Sequence, residues 1–433
     1  MEEHVESTKP EGLKHLLKNP NFRFLWFGQI VSDFGDSLTM LALLIFVNQV
    51  TGSAAAIATM MIVLALPQVT VGLVAGVYVD RLDRKMIMVV SDVARGTLVL
   101  GFVGVALLGT ADYLWLLYLV AFLQATIGTL FNPARGALLP NIVPETALLS
   151  ANSISQTSRV IFGLLGTASA GVLIGVTGDI WIPFIVDSLT FFASALFVWR
   201  LKVAAHVPDP DAKGDMKTIF SQLGAGMKLI VGSRILTGLL VAMGVTMLGL
   251  GAVNVLLVPL IINDMQLPPT WFGLVEFSQT AGMILSGSLV AVLAARIKPG
   301  NIVGVTLSLL GVAIGAVAFV NGMLELGVIL FVAGLVIVPM QAAIATLLQT
   351  SVDNKMRGRV GAAVNSIVSV ASLLSMGLAG ILAQEIGVRN VFLLGGGLVL
   401  LAGIAATFIL RVPRSQTSTT VDSELTALTT TNS

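Results

Sequence analysis

Cysteine is absent from the 433-residue sequence, and histidine occurs only at His4, His15 and His206. We therefore expect no disulfide framework and no thiolate metal site, and because the histidines fall in polar segments we expect no histidine metal centre. Charged residues make up only 11% of the chain, whereas soluble domains contain about 25%. Hydrophobic residues make up 56%. A soluble fold of this length could not bury so many apolar side chains, so the composition indicates a protein that resides in lipid.

Long apolar runs recur along the chain and predict membrane-spanning helices, each of which needs about 20 apolar residues to cross the hydrocarbon core. The first 21 residues are polar, and the apolar run that follows is too long and too polar in its middle for a cleavable signal peptide. The runs predict an all-α membrane protein with twelve spans, near residues 22–49, 54–79, 86–109, 113–133, 150–176, 180–199, 234–262, 270–295, 301–320, 324–349, 359–385 and 389–411.

The distribution of Lys and Arg predicts the orientation of these spans. With the N-terminus in the cytoplasm, twenty of the 24 Lys and Arg residues, including Arg135, fall on the cytoplasmic side, and only Arg389 falls in an outer loop. The other three, Arg95, Arg159 and Arg234, lie within spans or at their ends. This bias is the positive-inside signal. We predict a multi-pass protein of the cell (inner) membrane with both termini in the cytoplasm.

A polar stretch and a weak internal repeat divide the chain into two pseudo-symmetric halves. Parallel six-helix repeats around a central site are a transporter architecture. The repeat has an offset of 209 residues and matches Leu138-Leu139 with Leu347-Leu348, Ala170-Gly171 with Ala379-Gly380, and Gly178 with Gly387. The predicted units are a cytoplasmic N-terminal segment (1–21), two six-helix bundles (22–199 and 229–411), a cytoplasmic linker (200–228) and a disordered, Ser/Thr-rich cytoplasmic tail (412–433).

The loop after the second span carries the pattern Gly76-Val-Tyr-Val-Asp80-Arg81-Leu-Asp83-Arg84-Lys85. It resembles the loop signature of the major facilitator superfamily, Gly-x-x-x-Asp-Arg-x-Gly-Arg-Arg/Lys, with Asp83 where glycine is usual. Within that superfamily the chain resembles the proton-coupled drug exporters that include macrolide-efflux proteins and the enterobactin exporter. The segments that carry this resemblance are Asn132-Pro-Ala-Arg135-Gly-Ala-Leu-Leu-Pro140, Leu149-Ser-Ala-Asn152-Ser, Pro183-Phe-Ile-Val-Asp187-Ser-Leu-Thr-Phe191 and Met356-Arg357-Gly358-Arg359-Val360.

The resemblance implies the major facilitator fold and the export of an amphiphilic molecule, such as a drug, macrolide or siderophore, in exchange for protons. Two family features are missing. Ala121 stands where many drug exporters have an arginine linked to proton transfer, and Thr167 replaces the proline of the antiporter signature in helix 5. Gly163, Gly166 and Gly171 still allow close helix packing, so packing and antiport are alternative roles for this segment.

The charged loop also has a physical role that follows from its position at the end of helix 2. Asp80, Arg81, Arg84 and Lys85 can bond to helix ends of the facing half. Such contacts exist in only one of two alternating states, so they would set the conformational equilibrium. We therefore assign these four residues and Gly76 to a gating loop. The alternative is a plain positive-inside loop.

Charge inside the spans marks the candidate cavity, because a charged residue at mid-bilayer costs at least about 2.5 kcal/mol and needs a reason to be there. Asp33 and Asp36 lie near the middle of helix 1, and their spacing of three puts them on one face. Two such carboxylates cannot both ionise cheaply, so we predict that they bind protons as a coupled unit. Asp36 ranks first because Gly35-Asp36 resembles the family pattern. The alternative is that both bond to Ser32 and Ser37 and orient helix 1.

Other intramembrane charges complete the predicted site. Arg159 in helix 5 is a candidate partner for a cavity acid or an anionic substrate group, and Asp187 and Glu276 are further cavity candidates. For Asp187, bonding to Ser or Thr hydroxyls in helix packing is the alternative. Asp92 and Arg95, which are three residues apart near the cytoplasmic end of helix 3, are predicted to form a structural ion pair.

Other functional classes have less support. A membrane-embedded enzyme would need acids with a histidine near one membrane face, and the spans contain no histidine. A scaffold would need neither buried charges nor an internal repeat. A uniporter or importer of a small metabolite stays an alternative to the exporter. We expect no enzyme activity, metal or cofactor. The expected partners are a small-molecule substrate, protons and lipid, with no nucleic acid, and the expected state is a monomer.

Overall fold

The computed structural model describes residues 16–72, 75, 79, 81–109, 111–203, 216–353 and 356–410. The predicted tail and most of the predicted N-terminal segment lie outside the described residues. The part of the chain that is described is helical and contains no strand. Its helices are α1 Pro20–Thr51, α2 Ala54–Thr70, α3 Arg84–Leu108, α4 Leu114–Leu138, α5 Glu145–Thr177, α6 Ile182–Trp199, α7 Met216–Gly232, α8 Arg234–Pro259, α9 Phe272–Arg296, α10 Pro299–Ala316, α11 Met323–Ser351, α12 Arg357–Ile386 and α13 Val388–Ile409.

Ten of these helices, counted with the short helical turns that extend them, are long and apolar enough to cross a membrane. The other two predicted spans correspond to α2 and α9, which are not among these ten. Seventeen residues of α2 are described as one helix, and α9 has 25 residues. Helix α7 occupies the end of the predicted linker and packs on α12, where Gly226 lies against the backbone of Arg359. The fold is therefore the all-α membrane architecture that the apolar runs predict.

Local sequence explains where several helices begin and end, although α4 and α5 extend about five residues beyond the predicted spans at their adjoining ends. Asn19 caps α1 by accepting hydrogen bonds from two backbone amides of the first turn, and Pro20 follows at the first helical position, where its missing N–H is not needed. Gly178 and Gly387, which the internal repeat pairs, end α5 and α12 with φ values of 74° and 86°. Only glycine adopts such values without strain, which explains why the repeat keeps it at both positions.

The two halves pack in the same way. In the first half, α1 packs on α5 and α6, and α3 packs on α4 and α6. In the second half the equivalent helices repeat these contacts, since α8 packs on α12 and α13, and α10 packs on α11 and α13. Large apolar side chains such as Leu189 in the first half and Ile284 and Leu324 in the second are exposed, where they can face lipid.

Polar contacts join the halves at one end of the molecule, which is the outer end in the predicted topology. The side-chain amides of Asn48 at the end of α1 and Asn263 after α8 exchange two hydrogen bonds of 2.8 and 3.0 Å. Gln384 of α12 donates to Ser53 at the start of α2, at 2.8 Å. These three hydrogen bonds between the halves all lie at this end. The halves are therefore closed at this end, which in the predicted topology is the arrangement of a cavity that opens toward the cytoplasm.

Small residues bring the halves together at the same end, in what we call the outer seam: Gly171 of α5 against Pro269, and Gly380 of α12 against Ala58 of α2. A Cβ at Gly171 would lie 2.5 Å from the Pro269 carbonyl oxygen, and a Cβ at Gly380 would overlap the Ala58 side chain. Gly171 and Gly380 are equivalent in the internal repeat. The repeat therefore has a structural cause, because both copies must let a helix of the other half approach closely.

Candidate functional site

Two adjoining cavities lie among the helices of the first half. One has a volume of about 300 Å³ and a polar wall that includes Asp33, Asn132 and Arg159. The other, of about 340 Å³, is more apolar and is lined by Met40 and Leu43 among others. They share the wall residues Asp36, Leu64, Arg95 and Ala125. The shared acid stands halfway along α1, so the cavities are at the depth of the membrane centre.

A close ion pair joins α1 to α3 between the two cavities. Arg95 Nη2 lies 2.5 Å from Asp36 Oδ1, and its guanidinium also stacks over the Phe191 ring at 4.2 Å. The arginine side chain is only 12% exposed. A hydrogen-bonded ion pair with an aromatic face on one side holds the arginine in a single position. Asp36 therefore faces the cavity, as predicted, but as half of an ion pair and not as a free carboxylate.

A looser ion pair joins α1 to α5 across the polar cavity. Arg159 Nε lies 3.7 Å from Asp33 Oδ1, which is too long for a hydrogen bond. Arg159 Nη2 donates to Asn132 Oδ1 at 3.4 Å, and its Nε has no hydrogen-bond partner. The arginine and aspartate side chains are 38% and 24% exposed. The structure thus places Arg159 beside a cavity acid, one of the two partners that the sequence left open, with hydrogen-bonding capacity left over.

Arg135 belongs to this cluster, although the sequence places it in a cytoplasmic loop. The structure corrects that prediction, because α4 continues to Leu138 and includes Arg135 in its last turn. With its amide oxygen facing the guanidinium, Gln29 of α1 accepts two hydrogen bonds from Arg135, at 2.7 and 3.0 Å. The missed signal is the spacing of Asn132 and Arg135, which puts them on one helical face.

The predicted ion pair between Asp92 and Arg95 is not the one that forms. Arg95 lies at the middle of α3 and bonds to α1, whereas Asp92 Oδ2 accepts a hydrogen bond of 2.7 Å from Ser194 of α6. Asp92 is completely buried, and its Oδ1 has no hydrogen-bond partner. The prediction was wrong because spacing along one helix shows which residues share a face, but not that Asp36 of a neighbouring helix faces the same arginine.

Asp187 and Glu276 lie outside the two cavities. Asp187 is completely buried between α1 and α6, where its carboxylate accepts hydrogen bonds from Thr39 at 2.6 Å and Thr190 at 3.1 Å. Glu276 lies on α9 in the other half and lines neither cavity. Asp187 has the hydroxyl partners that the packing alternative requires. The cavity charges therefore come from the first half.

The predicted gating loop is described only in part, since Gly76 and Asp80 lie outside the described residues. Arg84 donates to the Ala137 carbonyl near the end of α4, at 3.0 Å, and Lys85 donates to the Leu201 carbonyl after α6, at 2.8 Å. Cations at helix C-termini satisfy free carbonyls there. These two contacts lie within the first half. Arg81 makes contacts as well, and the gating role stays a prediction.

Asp83, the departure from the family loop pattern, has a structural role. It is the N-cap of α3 and accepts a hydrogen bond of 2.8 Å from the Met86 amide. An N-cap carboxylate satisfies an amide that has no partner inside the helix. Similarly, Gly166 of the altered helix 5 segment packs against the Phe34 carbonyl of α1. Close packing is thus one function of that segment.

Comparison with known proteins agrees with this architecture. The family model described as Major Facilitator Superfamily matches residues 25–375 and 239–431. The uncharacterized MFS-type transporter YfiS of Bacillus subtilis (strain 168) is 30% identical over 393 residues, which cover 87% of this chain and 90% of that protein. Macrolide efflux protein A of Streptococcus pyogenes is 27% identical over 400 residues, covering 90% and 95%. The crystal structure of a bacterial homologue of the iron transporter ferroportin in the inward-facing state has a TM-score of 0.73 at 14% identity, covering 93% of this chain and all of that one (100%).

Proposed function

Because the chain belongs to the major facilitator superfamily, and is thus a membrane transporter and not an enzyme, we propose that it exports an amphiphilic small molecule in exchange for protons. The observation that carries the proposal is the Asp36–Arg95 ion pair at mid-membrane depth, between two cavities of a molecule that is closed at its outer end. Burying charged side chains at that depth costs free energy, so their presence there indicates a functional site.

Export is supported by the relatives. Macrolide efflux protein A, whose name describes an efflux protein, is similar to this chain along nearly the full length of both. The cavity pair supports an amphiphilic substrate, since a polar compartment adjoins a more apolar one. A cavity open to the cytoplasm would load the substrate there, and alternating access would release it outside.

Proton exchange is supported by the charge balance of the first half. The charged cluster at and beside the cavities consists of four aspartates and three arginines. If all seven side chains were ionised, the cluster would carry one excess negative charge. A buried excess charge is costly, so one bound proton makes the cluster neutral. The groups are Asp33, Asp36, Asp92, Asp187, Arg95, Arg135 and Arg159.

Asp36 is the proposed proton site because it is the acid that lines both cavities. A proton on Asp36 cancels the charge that holds Arg95. Arg95 can then turn toward Asp92, one turn earlier on the same face of α3, whose Oδ1 has no other partner. Asp33 on α1 and Asp187 on α6 are the other acids facing this position. The swap changes the α1–α3 contact, so protonation and conformation become linked.

Substrate-driven proton release from the purified protein tests this function. Asp36→Asn should abolish proton release, while Asp112→Asn, which alters an exposed acid in an outer turn, should leave the ratio of protons to substrate unchanged. Transport in inverted vesicles with an imposed pH gradient gives the direction. Coupling at the wild-type ratio in Asp36→Asn would place the proton elsewhere.

We also propose the predicted topology, with both termini cytoplasmic, in the cell (inner) membrane, and a monomeric state. The positive-inside bias supports the orientation. Reporter fusions after Lys213 and after Ser415 should both give cytoplasmic signals, and an external signal from either would refute it.

A further inference from the structure

We propose that the loose ion pair between Asp33 and Arg159 is the substrate-binding element, and that it selects amphiphilic zwitterions, such as short peptides or amino-acid derivatives with an apolar side group. This inference rests on the proposed function and adds the substrate class. The two cavity ion pairs then have separate tasks: Asp36–Arg95 carries the proton, and Asp33–Arg159 binds the substrate.

The two pairs differ in availability. Arg95 is hydrogen-bonded to Asp36 at 2.5 Å, is held by Phe191 and is only 12% exposed. Arg159 and Asp33 are 3.7 Å apart, both line the polar cavity, and they are 38% and 24% exposed. A ligand in the cavity therefore reaches the second pair without breaking a hydrogen bond between its members.

Arg159 has donors that the protein leaves unfilled. A guanidinium carries five N–H donors. The Nε of Arg159, like that of Arg95, is buried without a hydrogen-bond partner. The contact from Arg159 Nη2 to Asn132 is long, at 3.4 Å, whereas Arg95 Nη2 is bonded to Asp36 at 2.5 Å. Buried donors in native proteins are nearly always satisfied, so an unfilled donor in a cavity wall indicates a ligand acceptor. A carboxylate is the acceptor that a guanidinium binds best.

A ligand with both charges suits this pair better than a ligand with one. A cation that binds Asp33 leaves Arg159 without its counter-ion, and an anion that binds Arg159 leaves Asp33 without its counter-ion. In either case one protein charge loses its partner in a poorly solvated place, which is unfavourable. A zwitterion inserted between them gives each charge a new partner. Because both side chains are partly exposed, we expect a preference of about tenfold or more and not the full effect of a buried pair.

The cavity walls suggest the rest of the ligand. The polar cavity of about 300 Å³, with Ser32 and Asn132 beside the ion pair, suits the charged groups. The adjoining cavity of about 340 Å³ presents Met40, Leu43 and Leu64 and suits an apolar side group. Together they have the size of ordinary small-ligand sites, which are about 300–1,000 Å³.

Binding of three matched probes to the purified full-length protein tests the inference. The probes are alanyl-phenylalanine, which is zwitterionic, its methyl ester, which is a cation, and its N-acetyl derivative, which is an anion. Calorimetric titration should show that the zwitterion binds at least about tenfold more tightly than either derivative. Equal binding of the three probes, or binding of none, would overturn the proposal.

Variants separate charge recognition from loss of fold. Arg159→Gln should weaken binding of the zwitterion and the anion, Asp33→Asn should weaken binding of the zwitterion and the cation, and Arg159→Lys should retain part of the preference. The double variant Asp33→Asn/Arg159→Gln strands no charge, so it should fold and bind all three probes alike. A zwitterion preference that survives in the double variant would also refute the assignment.

The outcome can be told apart from failure of the proposed function. If lipophilic compounds are exported with proton exchange but the zwitterion has no advantage, the export function stands and the substrate class is wrong. If the zwitterion binds as expected but no substrate drives proton release, the substrate site stands and proton-coupled export is wrong.

Discussion

Gly380 is the position where the smallest change should have the largest conformational effect. It lies in α12 at the outer seam, and a Cβ there would overlap the Ala58 side chain and approach Ala55 Cα to 3.1 Å and the Ala54 carbonyl oxygen to 3.2 Å. None of these atoms is the flexible end of a long side chain. Gly380→Ala therefore forces α12 and α2 apart in this conformation, which the predicted topology closes at the outer end.

The size of the effect follows from overpacking. An extra methyl group in a well-packed contact typically costs about 1–3 kcal/mol. If the whole cost falls on the outside-closed conformation, the equilibrium shifts toward the outside-open one by about 5- to 150-fold. The gain in helix propensity on replacing glycine, about 1 kcal/mol, applies to both conformations and cancels.

Spin labels can measure this shift, because the chain has no cysteine that would compete for the label. Asp112→Cys and Leu324→Cys put labels at the predicted outer ends of the two halves, at exposed positions. Pulsed electron paramagnetic resonance measures the distance between the two labels. It should show a larger population of long label-to-label distances in Gly380→Ala than in the wild-type protein.

Gly361→Ala is the matched control. It lies in the same helix, and a Cβ there meets nothing within 4 Å. The control should keep the wild-type distance distribution. An unchanged distribution in Gly380→Ala, or an equal shift in Gly361→Ala, would refute the argument that the seam sets the conformational equilibrium.

Three further predictions concern caps and buried polar groups. Asp83→Ala should lower the free energy of unfolding by about 1 kcal/mol because the α3 cap is lost, while Asp83→Gly, the residue usual in the family, should lower it by only about a few tenths; thermal unfolding compares them. Thr39→Val removes the shorter hydrogen bond to the buried Asp187 and should destabilise by about 1–3 kcal/mol in the same assay; an unchanged unfolding temperature would mean another donor replaces it. The spin-labelled protein also allows a double-mutant cycle with Asn48→Ala and Asn263→Ala. The two substitutions should show a coupling free energy of about 0.5–3 kcal/mol for the outside-closed conformation. Independent effects would show that the amide pair does not stabilise that conformation.

Composition and local pattern were sufficient for the architecture. Lipid requires about 20 apolar residues for each span, so apolar runs locate the helices with little help from neighbours. Helix ends also depend mainly on residues adjacent in sequence. Asn19 and Pro20 begin α1, and glycines end α5 and α12. The presence of Asp33, Asp36 and Arg159 in a cavity could also be predicted, since charge at mid-membrane needs a polar environment.

Partner choice among these charges depended on contacts between helices far apart in sequence. Spacing along α3 favoured Asp92 as the partner of Arg95, but α1 passes close enough that Asp36 takes the guanidinium at 2.5 Å. A helix periodicity defines a face and leaves open which helix lies opposite. For the same reason the sequence pattern could not show that Arg135 turns inward to Gln29, at 2.7 Å.

The internal repeat shows what a sequence pattern can locate and what only the packed structure explains. The matching of Gly171 with Gly380 was visible as a pattern, but its cause was not, because the atoms that require glycine belong to the other half of the molecule. Close approach of two backbones is a property of the packed pair and leaves no mark in either segment beyond the small residue itself. The pattern therefore located the seam residues, and the packing of the two halves showed that they allow the close approach there.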